Sequence, residues 1–150
     1  MPRIYLDMCC FNRPFDSQTQ LVVRLQTEAK LFVQDAIRAG EHTLVWSATL
    51  DLENAVNPEP ERRDAIQAWK PLASIHIDAT PQVEALAQEL ADRGVKPMDA
   101  LHVASAIHAD AEWFLTTDHG LLRKTKHEDR VKVVDPVDFV RFVQDLDDEN

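Results

Sequence analysis

Pro97-Met98-Asp99-Ala100-Leu101-His102-Val103-Ala104-Ser105-Ala106-Ile107 and, a short turn later, Trp113-Phe114-Leu115-Thr116-Thr117-Asp118 decide the fold. Proline suits the first turn of a helix, and Ala100, Leu101, Val103, Ala104, Ala106 and Ile107 leave that helix almost no solvent face, so it is buried. The Trp113-Phe114-Leu115-Thr116 run that follows is a strand that stops near an acidic residue. A buried helix feeding a short apolar strand is half of a parallel crossover unit, and the rest of the chain repeats the pattern.

Arg3-Ile4-Tyr5-Leu6 is a first strand ending at Asp7, and Asn12-Arg13-Pro14 reads as a loop. A long helix follows, capped by Asp16 or Ser17 and ended by Gly40, with Leu21, Val22, Leu25, Ala29, Phe32, Val33, Ala36 and Ile37 as its core stripe. Thr43-Leu44-Val45-Trp46 is the second strand, and Ser47 caps a helix holding Ala48, Leu52, Ala55 and Val56 on one side. A helix from about 59 to 69 precedes the third strand, Ser74-Ile75-His76-Ile77-Asp78. Thr80-Pro81 starts a helix that Gly94 stops. A short helix around Leu121 and Leu122, a fifth strand Val131-Lys132-Val133-Val134 and a last helix from Pro136 through Val143 complete the chain, with an acidic, fraying tail from about 145. Five short strands between helices predict one domain over 1–150, a three-layer α/β/α sandwich on a mostly parallel sheet.

Length and composition agree: 150 residues with 45% hydrophobic and 28% charged suit one soluble globular domain. No apolar run approaches the roughly 20 residues of a membrane helix and the start lacks a signal-peptide core, which predicts a cytoplasmic protein. Cys9 and Cys10 are neighbours, unsuited to a structural disulfide, and read as small buried hydrophobes in a reducing compartment. The net charge of −10 opposes a polyanionic partner unless carboxylates bind dications, each of which adds two positive charges where a phosphate would sit.

In open parallel sheets the ligand crevice lies beyond the carboxyl ends of the strands. Asp7 follows the first strand, Asp118 follows the fourth, Asp99 stands in the first turn of the buried helix, and Glu53 rides on the helix after the second strand. Each has an ordinary explanation alone: a turn residue, a helix cap, a dipole partner, a solvated helix position. Together they form a set that repels itself unless a hard cation such as Mg2+ (or Mn2+) balances it. Helical spacing leaves open whether Asp51 or Glu53 points inward.

These residues resemble the PIN-domain family, especially its VapC-like toxins, over nearly the whole chain. The opening Ile4-Tyr5-Leu6-Asp7-Met8-Cys9-Cys10-Phe11-Asn12-Arg13-Pro14-Phe15-Asp16 looks like one PIN subgroup. Ser47 followed by Glu53 is similar to the second-acid segment, which selects Glu53 over Asp51. Pro97 to Ala106 resembles the third-acid helix, and Phe114-Leu115-Thr116-Thr117-Asp118 the fourth-acid strand end. The resemblance implies a doubly wound sheet, a magnesium site built from Asp7, Glu53, Asp99 and Asp118, cleavage of RNA by metal-activated water, an antitoxin partner whose C-terminal segment covers the groove, and a homodimer. Two positions depart from the family: Met8 stands where many members carry Thr or Ser, and Gly120 where many add a carboxylate, so one tight metal is expected rather than two.

Asn12 and Thr117 are candidate donors behind the ligands, and Arg13, Arg123, Lys124 and Lys126, with Arg130 and Lys132 nearby, are candidate RNA contacts. Zinc chemistry is disfavoured because His102 and His108 do not share a helix face, and His102 reads as a hydrogen-bonded core neighbour of Asp99. No nucleophile elbow surrounds Ser47 or Ser105, and glycine only at 40, 94 and 120 excludes a phosphate-cradling loop. Two alternatives remain: a PIN-like interaction module with weak or lost turnover, and an acidic phosphoacceptor domain.

Overall fold

A computed structural model describes residues 2–149. Strands β1 (Arg3–Leu6), β2 (Thr43–Ser47), β3 (Ile75–Ile77), β4 (Trp113–Leu115) and β5 (Lys132–Val134) form one sheet in the order β3-β2-β1-β4-β5, with every neighbouring pair parallel. The helices are α1 (Met8–Asn12), α2 (Leu21–Arg38), α3 (Ala48–Ala55), α4 (Pro60–Gln67), α5 (Pro81–Asp92), α6 (Pro97–His108), α7 (His119–Lys124) and α8 (Pro136–Glu149). This is the expected three-layer α/β/α architecture, and its sheet is parallel throughout.

The central strands carry apolar residues at successive positions because helices cover both of their faces. Ile4, Tyr5, Leu6, Phe114 and Leu115 are fully buried, and the Tyr5 ring stacks on Phe114 with centroids 5.1 Å apart. The chain lays β1, β2 and β3 outward in turn, then returns to place β4 on the other side of β1. The order therefore reverses between β1 and β4, and the crevice beyond their carboxyl ends is where such sheets take ligands.

The cap signals are realised: Ser47 Oγ accepts from the Leu50 amide at 3.2 Å and Thr80 Oγ1 from the Val83 amide at 3.3 Å. Gly94 ends α5 at φ +100°, a left-handed conformation that side-chain-bearing residues avoid. Other expectations are corrected. The segment expected to be a loop is α1 followed by a 3-10 turn at Arg13–Phe15, and α2 starts after Gln20, without a side-chain cap, rather than at Asp16 or Ser17. Backbone helix continues through the expected acidic tail to Glu149, while Asn150 and the side chains beyond Asp145 lie outside the described residues.

Two helices turn differently from their apolar patterns. On α3 the buried residues are Thr49, Leu50 and Asn54, whereas Leu52 and Val56 face solvent. On α2, Leu21, Val22, Leu25 and Phe32 are exposed, while Gln26, Thr27, Lys30 and Gln34 are buried beside Ala29, Val33, Ala36 and Ile37. Gln26, Thr27 and Lys30 are buried against partners. Gln26 Oε1 accepts from Arg13 Nε and its Nε2 donates to Asp135 Oδ2, both at 2.8 Å, and the Thr27 hydroxyl donates to the Arg13 carbonyl at 3.1 Å. The Lys30 ammonium lies 5.3 Å from the Phe11 ring centroid and 5.4 Å from that of Trp69, and its burial pushes its pKa down to about 7.

This arrangement separates two substitutions that the sequence alone would rank alike. Leu25→Ser should change unfolding free energy by no more than about 0.5 kcal/mol, as for other exposed positions. Phe139→Ala removes a fully buried ring packed edge-on against Trp113 and should cost about 3–5 kcal/mol. Urea denaturation of both variants checks the pair, and a large loss at Leu25 would show that the outer face of α2 is covered.

Candidate metal centre

Asp7 ends β1 at the reversal of strand order, and its amide still donates to the Leu115 carbonyl at 2.9 Å, which holds it against the end of β4. Its carboxylate caps α1: Oδ1 accepts from the Met8 amide at 2.9 Å, and Oδ2 accepts from the Thr116 hydroxyl at 2.8 Å. Only 6% of the residue is exposed. Burial pushes the carboxyl above its ordinary range, with help from Glu53, against the opposing effects of His102 and the Thr116 and Met8 hydrogen bonds.

Glu53 approaches from α3 with its side chain partly exposed. Asp51, on the same helix, is engaged elsewhere, accepting from Trp46 Nε1, Gln67 Nε2 and Lys70 Nζ. Those bonds outweigh its desolvation and hold its carboxyl below the usual value. His102, placed by α6, is wholly buried. Its Nδ1 shares a 2.6 Å hydrogen bond with the Tyr5 hydroxyl, and its Nε2 lies 3.3 Å from Glu53 Oε2 and 4.0 Å from Asp7 Oδ1. Its acidic neighbours at contact range are thus Asp7 and Glu53, not Asp99 as expected. One ligand atom each from Asp7, Glu53 and His102 lie within 4.8 Å of one another.

Asp99 stands half-buried in the first turn of α6. Desolvation raises its carboxyl, and so do the charges of Asp7, Asp118 and Glu53, with His102 acting in opposition. That sensitivity puts Asp99 in the electrostatic field of all three other acids. Asp118 is exposed and caps α7, its Oδ1 accepting from the Gly120 amide at 2.8 Å and the Leu121 amide at 3.2 Å. A Cβ on Gly120 would stand 3.2 Å from that oxygen, so the missing side chain eases the cap.

Around these acids the structure redistributes several expected roles. The hydroxyl that meets Asp7 belongs to Thr116, while Thr117 is buried and donates its amide to Cys9 Sγ at 3.3 Å. Asn12 bonds to none of the four acids among the described residues. It lines a cavity of about 360 Å³ beside Glu53, together with Met8, Asn57 and Arg62, and its Oδ1 is buried without a partner. Arg13 is committed to Asp16 and Gln26, each at 2.8 Å. Arg123, Lys124 and Lys126 are exposed and form no ion pair among the described residues, whereas Arg130 is held by Glu128 and Glu89. The sequence sets His102 beside Asp99 as a core neighbour rather than a ligand; a signal for the other role is the spacing Asp99-Ala100-Leu101-His102, three apart on one helix face, which resembles the Glu-x-x-His of carboxylate metal sites.

A cleft holding this much negative charge suits a divalent ion, and two of its buried atoms, Glu53 Oε2 and His102 Nε2, have no hydrogen-bond partner although they face each other. The donor set fits a dication on that observation.

The PIN domain family model matches residues 4–127. No curated protein matches the chain. The solved structure of VapBC2 from Rickettsia felis bound to a promoter DNA fragment superposes with a TM-score of 0.56 at 12% identity, over 87% of this chain and 96% of the other. DNA-bound VapBC from Salmonella typhimurium gives 0.56 at 16% identity, over 91% and 99%. At these identities the likeness shows a shared fold.

The raised carboxyls carry a stability consequence. An acid whose folded pKa lies above its unfolded value stabilises the fold while protonated, and that contribution is lost as pH rises from the unfolded value through the folded one. For Asp7 and Asp99 the loss begins near pH 3.8 and grows as pH rises through their raised values, so the ionised carboxylates burden the metal-free fold. Asp99→Asn should therefore raise the thermal midpoint in chelator at pH 7. Added Mg2+ or Mn2+ should stabilise the unsubstituted protein at pH 7 more than the variant, and neither protein appreciably near pH 4. A midpoint in chelator unchanged by Asp99→Asn would remove the repulsion.

Proposed function

The chain belongs to the PIN-domain family, and on that premise we propose that it is a divalent-metal-dependent endoribonuclease, the toxin of a toxin–antitoxin pair. The observation that carries the reading is the convergence of Asp7, Glu53 and His102, with Asp99 inside the same electrostatic field, at the reversal of strand order. Family membership supports nuclease chemistry, and the VapBC likeness supports an antitoxin partner.

Asp7, Asp99 and Glu53 would hold the ion, with Asp118 contributing through the carboxylate oxygen that α7 does not use. A bound divalent ion supplies charge that acidifies an attacking water and offsets the negative phosphate. The Thr116 hydroxyl and Met8 amide fix the Asp7 carboxylate on both oxygens, so it meets a ligand in one orientation. Glu53, more exposed than Asp7, would also orient the water and accept its proton. Arg123, Lys124 and Lys126 supply the positive charge that a strongly acidic protein otherwise withholds from RNA.

Cleavage of single-stranded RNA should require Mg2+ or Mn2+, stop with chelator and fall at least about 100-fold in Asp99→Asn, more than a lost outer-shell partner costs. No metal-dependent cleavage would return the chain to the interaction-module reading. Replacing Lys124 and Lys126 together by alanine should weaken RNA binding and flatten its log–log salt slope by about 1.4, at roughly 0.7 per phosphate contact on single strands. An unchanged slope would take that patch out of the interface.

A further inference from the structure

We propose that His102 is itself a ligand, its Nε2 donating to the same ion as Asp7 and Glu53, and that this nitrogen makes the centre selective for a first-row transition ion such as Mn2+ over Mg2+. The inference rests on the metal-centre reading above and adds both a ligand and an ion class to it. His102 is fully buried, yet Nε2 has no hydrogen-bond partner, and the nearest polar atom, Glu53 Oε2 at 3.3 Å, is buried and unpartnered as well. Burying two polar atoms that satisfy neither each other nor anything else is rare in folded proteins, and an unplaced ion is one accepted cause. Their spacing suits one. Donors bound at about 2.1 Å stand about 3.0 Å apart in cis and about 4.2 Å apart in trans. The Nε2 separations of 3.3 Å and 4.0 Å from Glu53 and Asp7 fall between these limits.

The other side of the ring prepares Nε2 for this role. Nδ1 meets the Tyr5 hydroxyl at 2.6 Å, and that hydroxyl meets Ser47 Oγ at 2.6 Å, which also accepts from the Leu50 amide. A metal at Nε2 selects, of the two directions this chain can run, the one in which Nδ1–H donates to Tyr5 and Tyr5 to Ser47, leaving the lone pair on Nε2 between the two carboxylates. A ligating histidine characteristically gives its second N–H to such a partner, which fixes tautomer and ring orientation. A site that mixes nitrogen with oxygen donors favours the first-row transition ions, with affinity rising from Mn2+ toward Cu2+, whereas magnesium prefers oxygen donors and retains its waters.

Pulsed EPR of the Mn2+-loaded protein tests the ligand without reference to turnover. The spectrum should show 14N modulation that becomes 15N modulation when only histidine is 15N-labelled, which requires no substitution. In His102→Gln, shown to be folded by circular dichroism, the modulation should vanish, with Mn2+ affinity falling at least about tenfold and Mg2+ affinity changing less than about twofold. Mn2+ bound without nitrogen coupling, or coupling that survives in His102→Gln, overturns the proposal and leaves the nuclease reading standing. Failure of Mn2+ to bind at all overturns the metal centre together with it.

Discussion

The buried carboxylate of Asp7 is the constraint from which the rest of the site follows. A charge at the end of the central strand is tolerable only when its oxygens are occupied, and the fold occupies them from two directions. The helix that begins immediately afterwards supplies the Met8 amide, and the neighbouring strand supplies the Thr116 hydroxyl. Both depend on β1 and β4 being adjacent and parallel, which sets Asp7 level with the residues just past Leu115. The apolar runs of β1 and β4, the buried α6 and the reversal of strand order thus serve one placement.

Charge balance then shapes what surrounds that carboxylate. Asp99, Glu53 and Asp118 each add repulsion, and the fold answers with an imidazole rather than with lysine or arginine. A fixed cationic side chain would neutralise the acids permanently and leave nothing for an ion to do. A histidine leaves the balance of the site dependent on what occupies it, which is what the proposed metal centre requires.

Much of this was legible in the sequence because it depends on local chemistry. Successive apolar residues at 4–6 and 113–115 give buried parallel strands, and Ser47, Thr80 and Gly94 mark helix ends through bonds made within a few residues. Asp7, Asp118 and Asp99 were legible as strand-end or helix-start positions, and Glu53 only through the family resemblance. What escaped depends on partners distant in the chain. Nothing near Gln26 or Thr27 announces that Arg13 and Asp135 will satisfy them, so the apolar count on α2 pointed to the opposite face. The choice between Thr116 and Thr117 turns on a one-residue alternation in strand direction, which places the first hydroxyl toward Asp7. His102 was visible as a residue but not as a neighbour of Glu53, because α3 and α6 are distant in the chain and meet only in the folded protein.

The two outermost strands, β3 and β5, are only three residues each. An edge that short offers few unpaired amides and carbonyls to a foreign strand, which guards the sheet against end-to-end growth into fibres. A polypeptide partner would then be met on helix surfaces rather than by backbone pairing, and Leu21, Val22 and Leu25 stand clear of the core on one such surface. Specificity between such surfaces is written in side-chain shape, so it can diverge between sister copies without disturbing the scaffold beneath.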